Sequence, residues 1–267
     1  MKAIRTMTVA LLGLAGIALC AAAAPLEFWT MDDPFGTDLN NLTNSGSLGS
    51  VWNYNTPGVL ADGSGNLVVD GDGGTTTRKL PKAGTANANP GSDTYATPLS
   101  GAATYRLELN LTSWAFDPAS VGDALRFKIR DSSQADLVVI SILMDSSSSS
   151  RIRLAAGDKG RNWAFGSSAG ATTAYVDFNI AAGTVEMNVA GDVRSYTGVA
   201  FSGSDIGDMV FTKSGDGTAD WATSGTSIAI DSMGLSVVPE PGTAGLLLVS
   251  GGVLFMARKK RTRRWKG

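Results

Sequence analysis

Apolar and polar residues alternate strictly in the segment Tyr105-Arg106-Leu107-Glu108-Leu109-Asn110-Leu111. Successive side chains of a β-strand point to opposite faces, so this period of two predicts a strand with one buried and one solvated face. The segment Leu125-Arg126-Phe127-Lys128-Ile129-Arg130 repeats the pattern. Residues 137–143 form a more continuous apolar run, which predicts an interior strand covered on both faces.

Shorter segments with the same period follow, and turn residues separate them. These segments are Ile152-Arg153-Leu154, residues 176–180 and residues 185–189, with Gly-Asp or Ala-Gly pairs between them. Glycine and aspartate supply the positive φ and the side-chain hydrogen bonds that tight reversals need. The pattern predicts an all-β fold, a single antiparallel β-sandwich over residues 24–236. The serines of residues 146–150 are expected to form a solvated loop.

The two ends of this region carry short motifs of a known fold. Near the start are Leu26-Glu27-Phe28-Trp29, Asp32-Asp33 and residues 44–49, and at the end is the alternating segment of residues 228–237. Together they resemble the opening and closing strands of laminin-G-like, concanavalin-type jelly rolls. The resemblance implies that the first and last strands pair. Such folds carry lectins, adhesion modules and polysaccharide enzymes alike, so the fold does not select a function.

The last thirty residues predict a membrane anchor with an exposed motif in front of it. They run Val238-Pro239-Glu240-Pro241, then an apolar segment over residues 242–257, then a basic end. The apolar segment has about 16 residues, near the lower limit for a helix that crosses a bilayer. Pro239 and Pro241 keep Glu240 on an extended linker outside the membrane. The basic residues hold the C-terminus in the cytoplasm, which places everything upstream outside. They are Arg258, Lys259, Lys260, Arg261, Arg263 and Arg264, followed by Lys266.

The order of motif, apolar helix and basic end over residues 237–267 resembles the PEP-CTERM sorting signal of Gram-negative bacteria. The resemblance implies that Pro239, Glu240 and Pro241 are recognised by an exosortase, a membrane-embedded cysteine protease. It also implies that the tail is removed and that the protein leaves the inner membrane for the cell envelope, the extracellular matrix or a biofilm. The alternative is an ordinary C-terminal anchor that is never cut.

The N-terminus has the layout of a secretory signal peptide over residues 1–23. Lys2 and Arg5 precede an apolar run, and the small residues Ala21-Ala22-Ala23 form the cleavage site, with the cut expected after Ala23. Lipid attachment at Cys20 is an alternative. Removal of this peptide leaves no cysteine, so the exported chain has no disulfide and depends on its core for stability.

Setting aside both targeting segments reveals a strongly acidic domain. The whole chain has 22 Lys and Arg and 24 Asp and Glu, but nine of the basic residues lie in the two terminal segments. Residues 24–238 keep 13 basic and 23 acidic residues, which is a net charge of −10. Because an acidic surface repels nucleic acid, the sequence predicts no nucleic-acid partner.

The composition removes most catalytic mechanisms. The chain has no histidine, which excludes Ser-His-Asp and Cys-His catalysis and histidine-based zinc sites. Glycoside hydrolysis needs only two carboxylates, and the exported domain has three glutamates, Glu27, Glu108 and Glu186. Asp205 and Asp208, which are expected in a loop, are a further pair. The Glu-x-Asp-x-x-Glu motif of the concanavalin-like glucanases is absent, so the sequence favours a protein that is not an enzyme and needs no cofactor.

One loop has a weak calcium-binding pattern. The segment Asp70-Gly71-Asp72-Gly73-Gly74 places two carboxylates at alternating positions on a flexible loop. It lacks the third acidic ligand and the distal glutamate of a calcium loop. Because an Asp-Gly turn needs no ion, the simpler interpretation of Asp70 and Asp72 is a turn without metal.

Carbohydrate binding requires aromatic side chains that face solvent and stack on sugar rings. Five aromatic residues near turn-rich segments are candidates for this role: Trp52, Tyr54, Trp114, Trp163 and Trp221. The alternative is that they fill the core and the ends of the sandwich.

The sequence thus predicts an exported, non-enzymatic β-sandwich of the cell envelope or matrix, with polysaccharide as its candidate ligand. Two alternatives stay open. One is an enzyme that acts on extracellular polysaccharide through carboxylates, and the other is a purely structural matrix protein. Exposed aromatics in a groove would favour binding, and two facing carboxylates about 5 to 9 Å apart would favour hydrolysis.

Overall fold

A computed structural model of the chain describes residues 24–48, 50, 52, 59–70, 76–79, 95, 97–117, 121–122, 124–214 and 226–239. Their strands belong to one compact unit, Ala23–Val238. The predicted cleavage residues Ala21 and Ala23 lie outside the described residues, as do Glu240, Pro241, the predicted membrane span and the basic end. The two terminal segments therefore remain predictions. No helix among the described residues is long and apolar enough to cross a bilayer.

Seventeen strands account for most of the described residues, and the one helical element among them is a 3-10 turn at Leu39–Asn41. In chain order the strands are β1 (Ala24–Trp29), β2 (Val59–Ala61), β3 (Leu67–Asp70), β4 (Thr76–Lys79), β5 (Leu99–Ser100), β6 (Tyr105–Ala115), β7 (Ala124–Arg130), β8 (Asp136–Ser146), β9 (Ser149–Ala156), β10 (Lys159–Gly166), β11 (Ser168–Ala169), β12 (Thr172–Asn179), β13 (Thr184–Val189), β14 (Asp192–Thr197), β15 (Asp205–Ile206), β16 (Asp208–Ser214) and β17 (Ser227–Val237).

The strands form two large antiparallel sheets. The larger sheet has nine strands, with β14-β13-β12-β6-β17-β3-β2 as its main order, β1 beside β17 and β11 beside β6. The smaller sheet has six strands in the order β10-β9-β8-β7-β16-β4. A short ladder joins β5 to β15. The prediction of an all-β antiparallel fold is confirmed.

The first and last strands of the compact unit pair, as the jelly-roll resemblance implies. β1 runs antiparallel to β17, from Ala24 opposite Val237 to Trp29 opposite Met233. β17 also pairs with β6 along most of its length. The closing strand is therefore an interior strand of the larger sheet, and its C-terminal end lies beside Ala24.

The inward faces of the two large sheets meet in one hydrophobic core. Alternate residues of β6 and β12 in the larger sheet are buried, as are alternate residues of β7 and β9 in the smaller sheet. Trp52 lies between the sheets. Its ring centroid is 5.1 Å from that of Trp29, 6.3 Å from that of Phe127 and 6.2 Å from that of Phe211. Two sheets packed face to face on a shared core make the fold a β-sandwich.

β8 confirms the prediction of an interior strand from the apolar run of residues 137–143. It lies between β7 and β9 in the smaller sheet. Leu137, Val138, Ile140 and Ile142 are at most 1% exposed. The burial of adjacent residues such as Leu137 and Val138 shows that both faces of the strand are covered near its start.

The serine-rich segment is a tight turn, and the solvation that the sequence predicts holds for its two exposed central residues, Ser147 and Ser148. β8 ends at Ser146 and β9 begins at Ser149, which leaves two residues for the reversal. Ser150 is fully buried. Its hydroxyl donates a hydrogen bond of 2.6 Å to the Gly166 carbonyl and accepts one of 3.0 Å from Nε1 of Trp114. The prediction of a solvated loop is wrong for Ser150, because its hydrogen bonds inside the protein replace those to water.

Candidate functional site

Two of the five candidate stacking aromatics face the core. Trp52 and Trp114 are each 2% exposed. Trp52 fills the space between the sheets, and Trp114 stands edge-on to Phe165 with their ring centroids 5.0 Å apart. Burying so much apolar surface stabilises a sandwich that has no disulfide. The prediction that Trp52 and Trp114 stack on sugars is therefore wrong, and the alternative of core packing is correct for both.

Trp163 is half-buried at the side of the sandwich. It packs against the core from the edge strand β10, and its Nε1 donates a hydrogen bond of 2.9 Å to Oδ2 of Asp192, the first residue of β14. The side chain thus connects the edges of the two large sheets and lies on neither outer face. The other two candidates, Tyr54 and Trp221, lie outside the described residues.

The predicted calcium loop lies largely beyond the part of the chain that the structure describes. Asp70 ends β3, where it stands opposite Ser227 of β17, and Asp72 is not among the described residues. Within the described ranges, no group of three Asp, Glu, His or Cys side chains is arranged to hold a metal ion. The choice between a metal loop and a plain turn remains a prediction.

The acidic pair Asp205 and Asp208 lies on strands rather than in the expected loop. Asp208 begins β16 and is fully buried, with Arg130 donating to both of its carboxylate oxygens. Asp205 accepts hydrogen bonds from the backbone and the hydroxyl of Ser132. Because Asp208 is buried in an ion pair, these two carboxylates do not face a common substrate.

A continuous area of polar side chains covers part of the outer surface of the larger sheet. On β6, β12, β13 and β17, the residues that alternate with buried core residues are largely polar, and most of them are half-buried. We call this area the polar face. Its members are Arg106, Glu108, Asn110, Tyr175, Asp177, Glu186, Asn188 and Ser232.

The strand register arranges the polar face in rows that cross neighbouring strands. Two of these rows are Asn188-Tyr175-Glu108 and Glu186-Asp177-Arg106. Directly opposed residues in an antiparallel pair have Cβ atoms about 5 Å apart. Polar groups that are far apart in the sequence are thereby brought within hydrogen-bonding reach.

Arg106 holds two neighbours in fixed positions. Its Nε and Nη2 donate hydrogen bonds of 2.7 and 2.8 Å to the two carboxylate oxygens of Asp177. Its guanidinium carbon lies 3.9 Å from the centre of the Tyr175 ring. The hydrogen bonds to Asp177 raise the pKa of Arg106 further above its usual range. The two hydrogen bonds to Asp177 and the cation–π contact with the Tyr175 ring leave these three side chains little freedom. The centre of the polar face is therefore preorganised.

The Tyr175 hydroxyl connects this centre to β13. It donates a hydrogen bond of 3.3 Å to Oε1 of Glu186 and accepts one of 3.3 Å from Nδ2 of Asn188. Burial raises the pKa of Tyr175, and the nearby negative charge of Glu186 adds to the effect. The phenol therefore keeps its proton at neutral pH and acts as a hydrogen-bond donor.

A second set of hydrogen bonds extends the network to β17. Nδ2 of Asn110 donates to Oε1 of Glu108 at 2.6 Å and to Oγ of Ser232 at 3.0 Å. The Ser232 hydroxyl in turn donates to Oδ2 of Asp231 at 3.1 Å. The chain of contacts ends at an exposed carboxylate beside Asn110.

Two β-bulges form a groove at this end of the polar face. Thr112 of β6 and Asp231 of β17 are the residues without a partner where the register between the two strands shifts. A bulge redirects the side chains on either side of it. A groove of about 320 Å³ lies here, and its lining includes Asn110, Thr112, Thr173 and Asp231. The open end of the polar face therefore combines an amide, two hydroxyls and a carboxylate.

The chemistry of the polar face suits a polyhydroxylated ligand. Carboxylates accept hydrogen bonds and amides both donate and accept them, so adjacent pairs such as Glu108 with Asn110 match neighbouring sugar hydroxyls. Apolar edges are present as well. Tyr175 stands in the middle of the face, and Phe28 of β1 packs against Gly234 beside Glu108. With four carboxylates and one arginine in and beside it, the face disfavours an anionic ligand.

Each carboxylate in the centre of the polar face is already held by a neighbour. Asp177 accepts two hydrogen bonds from the Arg106 guanidinium. Glu186 accepts one from the Tyr175 hydroxyl, and Glu108 accepts one from the Asn110 amide. Hydrolysis of a glycosidic bond needs two carboxyl groups that both reach the same bond. Both carboxylate oxygens of Asp177 are hydrogen-bonded to Arg106, so this arrangement favours binding over hydrolysis.

Glu27 belongs to a different, buried cluster. It is fully buried on β1, and its Oε2 accepts hydrogen bonds from Nδ2 of Asn44 at 2.5 Å and from the Ser50 backbone at 3.2 Å. The Ser50 hydroxyl donates to Oε1. Burial raises the pKa of Glu27, although these hydrogen bonds oppose the shift. With no access to solvent, this carboxylate ties the loop of residues 44–50 to the first strand.

Sequence reasoning missed most of the polar face. It selected aromatics beside turns, whereas the one central aromatic, Tyr175, lies in mid-strand. The polar residues of each alternating strand are the sequence feature that could have indicated this face. On β6 these residues are Arg106, Glu108 and Asn110, a mixed set that a merely solvated surface does not require. Such a set indicates hydrogen bonding across strands.

No protein-family model matches the chain, and no curated protein matches it. Solved structures are similar in fold. The binding domain of botulinum neurotoxin serotype D is 9% identical, with a TM-score of 0.50, over 88% of this chain and 53% of that one. An endo-1,3-beta-glucanase from Streptomyces sioyaensis is 12% identical, with a TM-score of 0.49, over 82% and 98%. The carbohydrate recognition domain of Emp46p in its potassium-bound form is 16% identical, with a TM-score of 0.46, over 78% and 98%.

These similarities concern the fold alone. The chain spans about half the length of the neurotoxin chain that it matches. The fold by itself does not decide between binding and catalysis.

Proposed function

We propose that the protein is an exported, non-enzymatic module that binds a neutral polysaccharide through its polar face. The observation that carries this proposal is the network of paired amides, carboxylates and a tyrosine across β13, β12, β6 and β17, which ends in a groove at Asp231. Preorganised side chains lose little entropy when they bind a ligand. A long, open surface of this kind fits a polymer better than a small molecule that must be enclosed.

The second part of the proposal concerns where the protein acts. The N-terminal segment directs export, and the PEP-CTERM-like tail holds the chain in the inner membrane until an exosortase removes it. The domain then acts in the cell envelope, extracellular matrix or biofilm. Its net charge of −10 over residues 24–238 keeps it soluble there, in the absence of any disulfide.

A polysaccharide-cleaving enzyme is the second candidate function, because Asp177 and Glu186 stand directly opposite each other on β12 and β13. The fork from Arg106 opposes this role, since it occupies both oxygens of Asp177. A reducing-end assay on any bound polysaccharide separates the two functions. If the wild type released new reducing ends and Glu186→Gln did not, an enzymatic function would replace the binding proposal.

A glycan array probed with the full-length protein in detergent tests the binding proposal. The expected result is retention of one class of neutral glycan by the wild type and weak retention by Asp231→Ala, whose side chain is exposed and lines the groove. Melting temperatures of the two proteins control for folding. An array without any bound glycan would leave the purely structural alternative as the better account.

A further inference from the structure

The smaller sheet concentrates the positive charge of the domain. Its strands β7, β9 and β10 carry seven basic residues, Arg126, Lys128, Arg130, Arg151, Arg153, Lys159 and Arg161. This is more than half of the 13 basic residues in a region whose net charge is −10. The two outer sheet surfaces therefore differ in charge, because the polar face of the larger sheet is acidic.

Most of these cations are neutralised by a neighbour. The ion pairs are Lys128 with Asp136, Arg130 with Asp208, Arg151 with Asp145 and Lys159 with Asp158. Arg153 and Arg161 are exposed and form no ion pair with any described residue. Arg153 of β9 and Arg161 of the adjacent edge strand β10 are thus available to an anion from outside the chain.

Arg153 and Arg161 line a groove of about 450 Å³ together with Gly160 and Asn162. The groove is open because the neighbouring side chains are small. Ala155 follows Arg153 on the same face of β9, and Gly160 of β10 stands opposite Ala155. A Cβ atom added to Gly160 would come no closer than 3.6 Å to a non-neighbouring atom. Nη2 of Arg153 would lie 3.8 Å from that Cβ, so the guanidinium group borders the space above Gly160.

We infer that this groove binds the carboxylate groups of an acidic polysaccharide. A guanidinium presents a planar fork of donors that matches a carboxylate, and it stays charged at every physiological pH. Asn162 stands directly opposite Arg153 and adds an amide beside it, which suits the uncharged hydroxyls between successive carboxylates. The site is on the opposite sheet from the polar face and does not depend on the neutral-glycan proposal.

An acidic polysaccharide fits this groove better than a nucleic acid does. A nucleic acid carries closely spaced phosphates, and its binding depends on many cations along the backbone. Here Arg153 lies on the same face of the sheet as Gly160 and Asn162, whereas Arg161 stands opposite the buried Leu154, so one unpaired arginine faces the ligand and the other lies at the edge of the groove. The rest of the domain is strongly acidic. A polysaccharide also presents many hydroxyls to the Asn162 amide, whereas the backbone of DNA has no free hydroxyl between its phosphates.

The test uses full-length protein in detergent with three probes: polygalacturonate, its methyl ester and single-stranded DNA of similar length. We expect binding to polygalacturonate, little binding to the methyl ester, and weaker binding to DNA. Arg153→Gln should reduce affinity for polygalacturonate by about tenfold, equivalent to about 1.4 kcal/mol, because a charge-assisted hydrogen bond is lost. Gly160→Leu keeps every charge but fills the groove, so it should reduce affinity as well.

Arg194→Gln is the matched control, because Arg194 is an exposed strand arginine on the larger sheet. It removes the same charge from a residue that does not line the groove, and it should leave affinity within about twofold, since at most a surface ion pair with Asp192 is lost. An equal loss in Arg194→Gln would reduce the interaction to overall charge and overturn the assignment. So would unchanged binding by both Arg153→Gln and Gly160→Leu, tighter binding to DNA, or no binding to polygalacturonate at low salt.

Discussion

Glu27 illustrates how a single buried side chain affects the whole domain. It is one of three glutamates among residues 24–238, and it is fully buried with Asn44 and Ser50 as hydrogen-bond donors. Burial raises its pKa above the usual value of 4.5. Folding therefore favours the protonated carboxyl group, and the charged form is accommodated at a cost in stability.

The raised pKa of Glu27 predicts a pH dependence with a definite sign. Its contribution to stability is complete below pH 4.5 and is lost as the pH rises through the raised pKa of the folded state. Glu27→Gln removes this titration. The free energy of unfolding of the wild type, minus that of Glu27→Gln, should therefore decrease from about pH 4 to about pH 7. Urea unfolding at several pH values measures the difference, and a difference that increases over this range would show that the pKa shift has the wrong sign.

Single residues also mark the limit of sequence reasoning. Trp52 and Trp114 have turn-rich neighbours in the sequence, which made them candidates for exposure beside the alternative of core packing, and both are 2% exposed. Their burial depends on partners such as Phe127 and Ser150, which come from other strands. Local composition contains no information about those partners, so the outcome could not be predicted from the segment itself.

At the scale of single elements, the period-two pattern predicted the strands well. β6 buries Leu107, Leu109 and Leu111 and turns Arg106 and Glu108 outward, as the alternation requires. Strand existence follows from local pattern, because side chains alternate in any strand. Pairing does not, since it joins residues as distant as Arg106 and Asp177, which are 71 positions apart. The polar face and the bulge at Asp231 are products of pairing and could not be derived from one strand.

The contact between Arg106 and Asp177 should be measurable as a coupling between β6 and β12. Both side chains are less than a third exposed, and the hydrogen bonds are 2.7 and 2.8 Å long. A double-mutant cycle with Arg106→Gln and Asp177→Asn should give a coupling free energy of about 1 to 2 kcal/mol. The exposed pair Arg194 and Asp192 serves as a control and should give less than about 0.5 kcal/mol. Equal coupling in the two cycles would mean that the Arg106 fork is no stronger than a surface contact.

At the scale of the whole molecule, charge is separated between the two outer surfaces. Composition gives only the total for residues 24–238, 13 basic against 23 acidic residues. The sheet topology places the acidic polar face on the larger sheet and the groove of Arg153 and Arg161 on the smaller one. A sequence without its sheet order cannot assign residues to faces, which is why the separation was not predicted.

The sorting proposal predicts a specific defect in the native host. Pro239→Ala combined with Glu240→Gln keeps the apolar segment and the basic end, so insertion in the inner membrane should be unchanged. A protease that recognises the motif should no longer cut the tail. A larger, membrane-retained form should then accumulate, as immunoblots of membrane and released fractions would show. Equal processing and release of the variant and the wild type would favour an ordinary anchor.

The central claim is that the polar face binds polysaccharide, and a pair of matched asparagine variants tests it most directly. Asn110 lies in the polar face and the groove at Asp231, whereas Asn41 is an exposed asparagine of the 3-10 turn and lines neither groove. Isothermal titration with the strongest neutral ligand from the glycan array should show at least a tenfold loss of affinity in Asn110→Ala, equivalent to about 1.4 kcal/mol. Asn41→Ala should bind like the wild type. The same affinity in all three proteins, with unchanged melting temperatures, would contradict the claim.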